Sequence, residues 1–126
     1  MLYPLRMHMS RKMPAPESFL PLTPAIAHIL LALADRDRHG YAIMQEVDRI
    51  TDGAARMGPG TLYGTIKRMI AGGLLEEAEE RPDPELDDER RRYYRATPLG
   101  RAVLEAETAR MATLLGAARA KRVRAR

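Results

Sequence analysis

The chain has no cysteine, which excludes disulfides, thiolate nucleophiles and cysteine-ligated zinc. It also lacks any apolar run near the roughly 18 residues that a membrane-spanning helix requires, so no transmembrane span is expected. The stretch MLYPLRMHMSRKMPAPESF at the amino terminus mixes bases and prolines among its apolar residues and never forms the continuous apolar segment of a secretory signal. These absences suit a reducing cytoplasm. The three histidines, His8, His28 and His39, are scattered, with no metal-ligand spacing, and no glycine-rich phosphate loop accompanies them. Catalysis is not expected, nor is a cofactor. His39, just before Gly40 at a helix junction, reads as a capping or turn residue.

The formal net charge of +4 is unevenly placed. Arg6, Arg11 and Lys12 at one end and Arg119, Lys121, Arg122, Arg124 and Arg126 at the other face no acids, which leaves thirteen bases against 17 acids between them. The ends therefore read as solvated basic tails, and overall basicity alone is weak evidence for a polyanionic partner. Residues 1–21 read as a flexible basic extension, 22–97 as a single folded domain, 98–121 as a long carboxy-terminal helix, and 122–126 as a basic tail.

Within the folded part, Thr23 can cap backbone N–H groups and Pro24 suits the first helical position, which predicts a helix over 24–34 with Ile26, Leu30 and Leu33 on one side. The polar run DRDRHG closes it. A second helix is predicted over 41–50, with Ile43, Val47 and Ile50 inward. Pro59 starts a third, and Gly72 and Gly73 stop it because glycine accepts the left-handed cap. Two strands follow, over 74–79 and 90–97, separated by EERPDPELDDE with Pro82 and Pro84 as turn markers. Thr97 and Pro98 repeat the threonine-proline start and open the last helix. The order is helix, helix, helix, hairpin, helix. That is a mainly α fold with a small β-hairpin, a winged helix-turn-helix domain carrying a long carboxy-terminal helix. In such a unit the third helix is presented to the major groove of DNA, with the hairpin along the backbone nearby.

On a wheel of about 100° per residue, Leu62, Ile66, Met69 and Ile70 of the third helix fall together and should face the core. Gly64, Lys67, Arg68 and Ala71 fall opposite, a face of small residues and bases suited to close approach and to phosphate or guanine contacts. Thr61 and Tyr63 flank it near the positive end of the helix dipole. Taken alone, Lys67 and Arg68 also read as ordinary solvated bases, and Tyr63 as a ring packed on the second helix. In the second strand, Tyr94 and Ala96 share the inward face while Arg91, Tyr93 and Arg95 share the other. Arg90, Arg91, Arg92, Tyr93 and Arg95 are therefore candidate backbone contacts. Residues 76–90 carry nine acids against Arg81 and Arg90, so the tip itself should be repelled by DNA.

In the last helix, Leu104, Thr108, Met111, Leu115 and Ala118 follow a four-three spacing, a coiled-coil-like seam, whereas Leu99 and Val103 lie on a different side. Two stripes need two partners. Leu99 and Val103 would pack on the winged domain and the seam on a second copy of the chain, with Leu31 of the first helix able to join. A twofold dimer would set two recognition helices about 34 Å apart and predicts a palindromic operator. The seam could instead fold back on its own chain.

Three segments, HGYAIMQEV, GPGTLYGTIKRMIAGGLLEE and RRRYYRATPLGRAVL, together resemble the PadR-like transcriptional regulators over roughly residues 22–105, through the linked patterns H-G-Y, G-T-L-Y with G-L-L, and Y-Y-x-x-T-x-x-G. The resemblance implies a homodimeric repressor whose winged helix binds double-stranded operator DNA, whose last helix packs on its mate, and which commonly answers to a small phenolic or drug-like effector. It assigns recognition to Thr61, Tyr63 and Lys67 and the wing bases to Arg91 and Arg92. The acidic wing loop and the basic extension depart from the pattern. A small hydrophobic effector would have Met44, Met69 and Met111 near it, although methionines at helical spacing also serve as plain core. The rival reading is a winged helix that contacts an acidic protein instead of DNA.

Overall fold

The computed structural model describes residues 13–78 and 92–126. A short 3-10 turn over Pro16–Phe19 comes first, followed by α1 (Pro24–Ala32), β1 (Arg38–His39), α2 (Gly40–Ile50), α3 (Pro59–Ala71), β2 (Leu75–Glu77), β3 (Tyr93–Ala96) and α4 (Pro98–Ala120). Each helix start is fixed by local chemistry. Thr23 Oγ1 accepts from the Ile26 N–H at 3.4 Å, His39 Nδ1 accepts from the Ala42 N–H at 3.2 Å, and Thr97 Oγ1 accepts from the Gly100 N–H at 3.0 Å. These bonds satisfy first-turn donors that no helix can pair for itself. His39 is thus a cap, as its position suggests.

Ile29 and Leu30 from α1 and Leu33 just after it, Ile43 and Val47 from α2, Leu62, Ile66 and Met69 from α3, and Val103 from α4 meet in one core with Leu74, Leu75, Tyr94 and Ala96. Each large apolar side chain buried there contributes about 1.5 to 3 kcal/mol relative to exposure. One expectation is corrected in this core. Ile70 is 39% exposed and Thr65 is 2% exposed, so the buried face of α3 is turned toward Thr65. The threonine is tolerated inside because its hydroxyl donates to the Thr61 carbonyl at 2.7 Å, leaving no unpaired polar group.

The sheet has three strands in the order β1-β3-β2, both pairs antiparallel. The sequence predicts only the hairpin. The third strand lies inside DRDRHG, the polar run expected only to close the first helix, and contains the buried Arg38. Its Nε donates to the Ala32 carbonyl at the end of α1 (2.8 Å), and its guanidinium pairs with Asp35 at 3.3 Å and Glu46 at 3.8 Å. A buried charge is acceptable when it is paired and hydrogen-bonded in this way. Arg49, the nearest partner of Glu46 at 2.6 Å, holds the Glu46 carboxyl below the ordinary range, with Arg38 adding to the effect and desolvation opposing it.

Packing on the core also begins before Thr23; residues 1–12 lie outside the described residues. Phe19, Leu20 and Leu22 pack against the core, and the Leu22 N–H donates to Glu107 Oε2 at 3.1 Å, across 85 positions of sequence. Glu107 is 1% exposed and also pairs with Arg110. The Arg110 guanidinium holds its carboxyl below the ordinary range, the Leu22 N–H assists, and desolvation works the other way. A folded pKa below the unfolded value of about 4.3 means that this clasp stabilises the chain fully above that value and is lost as pH falls through the folded pKa. Thermal unfolding followed by circular dichroism should show a midpoint that falls below about pH 4.3. Glu107→Gln should flatten part of that fall; an unchanged acid profile would show that the clasp does not couple to folding.

Candidate nucleic-acid interface

The third helix is held at both ends by backbone chemistry. Pro59 supplies the preset φ of a first turn after Gly58,. At the other end Gly73 takes φ +82, with its N–H bonded to the Ile70 carbonyl at 3.0 Å and the Leu74 N–H to the Met69 carbonyl at 2.9 Å. This pair of bonds is the Schellman arrangement, which a side chain would strain at the left-handed position. The chain then turns directly into β2.

Between those ends the predicted outward residues stand as follows. Thr61, Lys67 and Arg68 are exposed and Gly64 is half-buried. No hydrogen bond or ion pair joins Lys67 to any described residue, and the side chain is exposed. Arg68 differs, because its Nη2 donates to Thr65 Oγ1 at 3.3 Å and the guanidinium lies back along its own helix. Tyr63 is 37% exposed. Its ring rests against Gly40, so closely that a β-carbon there would collide with the phenol ring and its hydroxyl. The glycine that opens α2 is therefore the seat for the tyrosine of α3, and the two sequence motifs HGY and GTLY are one contact. This contact ties the two helices of the helix-turn-helix pair at the amino-terminal end of α3. The ring is packed and part of it remains outside, which joins both readings of Tyr63.

The wing is placed by register. His39 pairs with Tyr93 and Arg38 with Tyr94, and the His39 and Tyr93 rings meet edge to face at 5.5 Å. Tyr94 and Ala96 are buried as alternation requires,, and burial pushes the Tyr94 phenol pKa up, with Glu77 and Tyr63 adding. Arg95 and Arg92 reach outward but meet carboxylates, Arg95 to Glu76 at 3.0 Å and Arg92 to Glu77 at 3.2 Å. Arg90, Arg91 and the acidic tip lie outside the described residues.

The carboxy-terminal helix shows two stripes, with one adjustment. Val103 is buried and Leu99 partly so against the winged domain, as predicted, but Leu104 joins that core as well. Thr108 is exposed with its hydroxyl donating to the Leu104 carbonyl at 2.8 Å, Ala118 is half-buried, and Met111 and Leu115 are 48% and 45% exposed. Leu114, which the seam spacing omits, is 56% exposed, and Leu31 on α1 is 49% exposed. The open apolar strip is thus the distal part of α4. Met69 is core, Met44 packs on that core and Met111 is outside it, so the three do not frame one effector cavity.

A tri-helical core with a three-stranded wing and an outward third helix defines a winged helix-turn-helix protein. The model of the PadR-like family of transcriptional regulators matches residues 29–106, and the chain belongs to that family, one of regulators and not of enzymes. Similar relatives are the transcriptional regulator Rv3488 of Mycobacterium tuberculosis, 47% identical over 77 residues (61% of this chain, 65% of that protein), and an uncharacterized 37.1 kDa protein in transposon Tn4556 of Streptomyces fradiae, 40% identical over 88 residues (70% of this chain, 23% of that protein). The chain therefore spans less than two thirds of either relative. Among solved structures, a transcriptional regulator from Clostridium thermocellum superposes with a TM-score of 0.59 at 26% identity, covering 79% of this chain and 90% of that one. A PadR family regulator from Clostridium difficile shares the fold, with a TM-score of 0.61 at 20% identity, covering 77% of this chain and 96% of that one. Among the described residues no helix is long and apolar enough to cross a membrane, and no group of three or more His, Asp or Glu could hold a metal ion.

Proposed function

We propose that this chain represses transcription by binding a palindromic duplex operator as a homodimer, with the outer face of α3 in the major groove and the distal strip of α4 against its mate. The observation that carries the reading is the state of Lys67, a base on the exposed face of a firmly capped helix with no protein partner among the described residues. A lysine held so can donate to guanine O6 and N7 or to phosphate. Thr61, Gly64, Arg68 and the outer part of Tyr63 complete the surface, and Tyr93, Arg92 and Arg95 flank it. Release by a small hydrophobic effector belongs to this reading through the family resemblance.

Site selection from random duplexes tests recognition, symmetry and half-site spacing together. If Lys67 reads a base, Lys67→Ala should weaken binding to the selected duplex by about 1 to 3 kcal/mol with the thermal unfolding midpoint unchanged. Unaltered affinity would remove Lys67 from the interface. Contact with an acidic protein is the second reading, favoured by the carboxylates paired with the wing bases. Duplex binding that falls steeply between about 50 and 200 mM salt supports DNA, whereas a flat response supports the protein partner.

A further inference from the structure

β2 and β3 bring opposite charges into register on the wing. Glu76 stands directly across from Arg95, and its Oε2 accepts from Arg95 Nε at 3.0 Å, with the side chains 48% and 42% exposed. Toward the loop, Glu77 pairs with Arg92 at 3.2 Å. The two wing guanidinium groups among the described residues thus each have a carboxylate against them, in contrast to Lys67 on α3. A base strengthens duplex binding by bringing net positive charge to a phosphate and displacing a counterion. A carboxylate about 3 Å away cancels that charge and repels the phosphate itself.

We infer that Glu76 sets the affinity of the DNA interface, by holding Arg95 in a neutral pair so that the wing lies along the duplex without adding net attraction. The inference rests on the DNA-binding reading above. Non-specific binding is almost wholly electrostatic, and a wing neutralised at Arg95 lowers it while leaving the base contacts of α3 intact. The ratio of specific to non-specific binding rises accordingly. The alternative is that the pair, being exposed and weak, opens at no cost when DNA arrives.

A four-protein cycle separates the two: wild type, Glu76→Gln, Arg95→Ala and the double variant, each titrated by fluorescence anisotropy against a random-sequence duplex long enough for two half-sites. Both side chains are half exposed, and thermal melts should confirm that all four fold alike. Glu76→Gln should tighten binding about fivefold, the effect of one unit charge near a phosphate in water. It should also steepen the log affinity against log salt slope by about 0.9, one more phosphate neutralised. In the Arg95→Ala background, where no guanidinium is freed and only the carboxylate's own repulsion is removed, the gain and the change of slope should be clearly smaller. Unchanged or weaker binding by Glu76→Gln would overturn the inference, as would an equal gain in both backgrounds, which signals general charge removal. If none of the four binds duplex in a salt-dependent way, the DNA reading itself falls and takes this inference with it; wild-type binding matched by the glutamine variant removes the inference alone.

Discussion

Gly100→Ala should lower stability by about 3 kcal/mol, the upper part of the usual range for overpacking, and the thermal midpoint by on the order of 10 °C for a domain of this size. Gly100 lies in the first turn of α4 and is buried. A β-carbon added there would strike the Leu74 carbonyl and come within 3.4 Å of Leu30 Cδ2. The obstacle is backbone, and that backbone is already committed: the Leu74 carbonyl accepts from the Thr97 N–H at 3.0 Å, and Thr97 Oγ1 donates to the Gly73 carbonyl. Moving the carbonyl aside would loosen the junction of α3, β2 and α4 together. Gly116 in the same helix has no heavy atom within 4 Å of its added β-carbon, so Gly116→Ala should gain up to about 1 kcal/mol from helix propensity. Calorimetry on the two variants should thus show shifts of opposite sign. A Gly100→Ala midpoint within about 2 °C of wild type would mean that α4 can retreat from the carbonyl, and that its seating on the winged domain is looser than this packing requires.

Met111→Glu should abolish the homodimer proposed above and leave monomers. The side chain is 48% exposed in the single chain, with Leu114 and Leu115 beside it at 56% and 45%. In a twofold seam the new carboxylate enters twice, once from each copy, and an unpaired charge in an apolar contact costs several kcal/mol. Dimer affinity should therefore drop at least about 100-fold, which sedimentation velocity at micromolar protein would register as a monomer. Because Met111 lies outside the core of its own chain, the thermal unfolding of the winged domain should change little. Cooperative binding to a palindromic duplex should be lost along with the dimer, since two tethered half-site contacts become independent. A dimer that persists would place the interface elsewhere and leave the distal strip of α4 for another partner.

Much of this was legible from residues close together in the chain. The threonine-proline starts at Thr23 and Thr97, the Pro59 start and double-glycine stop of α3, and the alternation that buries Tyr94 and Ala96 depend on neighbours within a few positions. The inward side of α3 was read slightly off because a wheel assigns faces by hydrophobicity. Thr65 enters the core by bonding its hydroxyl to the helix behind it, and Ile70 is left outside. The candidate site was legible as a set of residue types. What escaped was which of those bases are already engaged, since Arg68 folds onto Thr65 and Arg95 onto Glu76.

The sequence by itself determined where the four helices begin, the order of helices and hairpin, and the family that the chain resembles and belongs to, because caps, prolines and glycines act through backbone geometry within one turn. Only the tertiary structure decided that Arg38 forms a buried third strand, that Glu107 clasps the segment before α1, that Gly40 seats Tyr63 and that the wing bases face carboxylates. Each of these rests on groups brought together from distant parts of the chain. Their energies come from mutual desolvation and pairing, which no local pattern encodes.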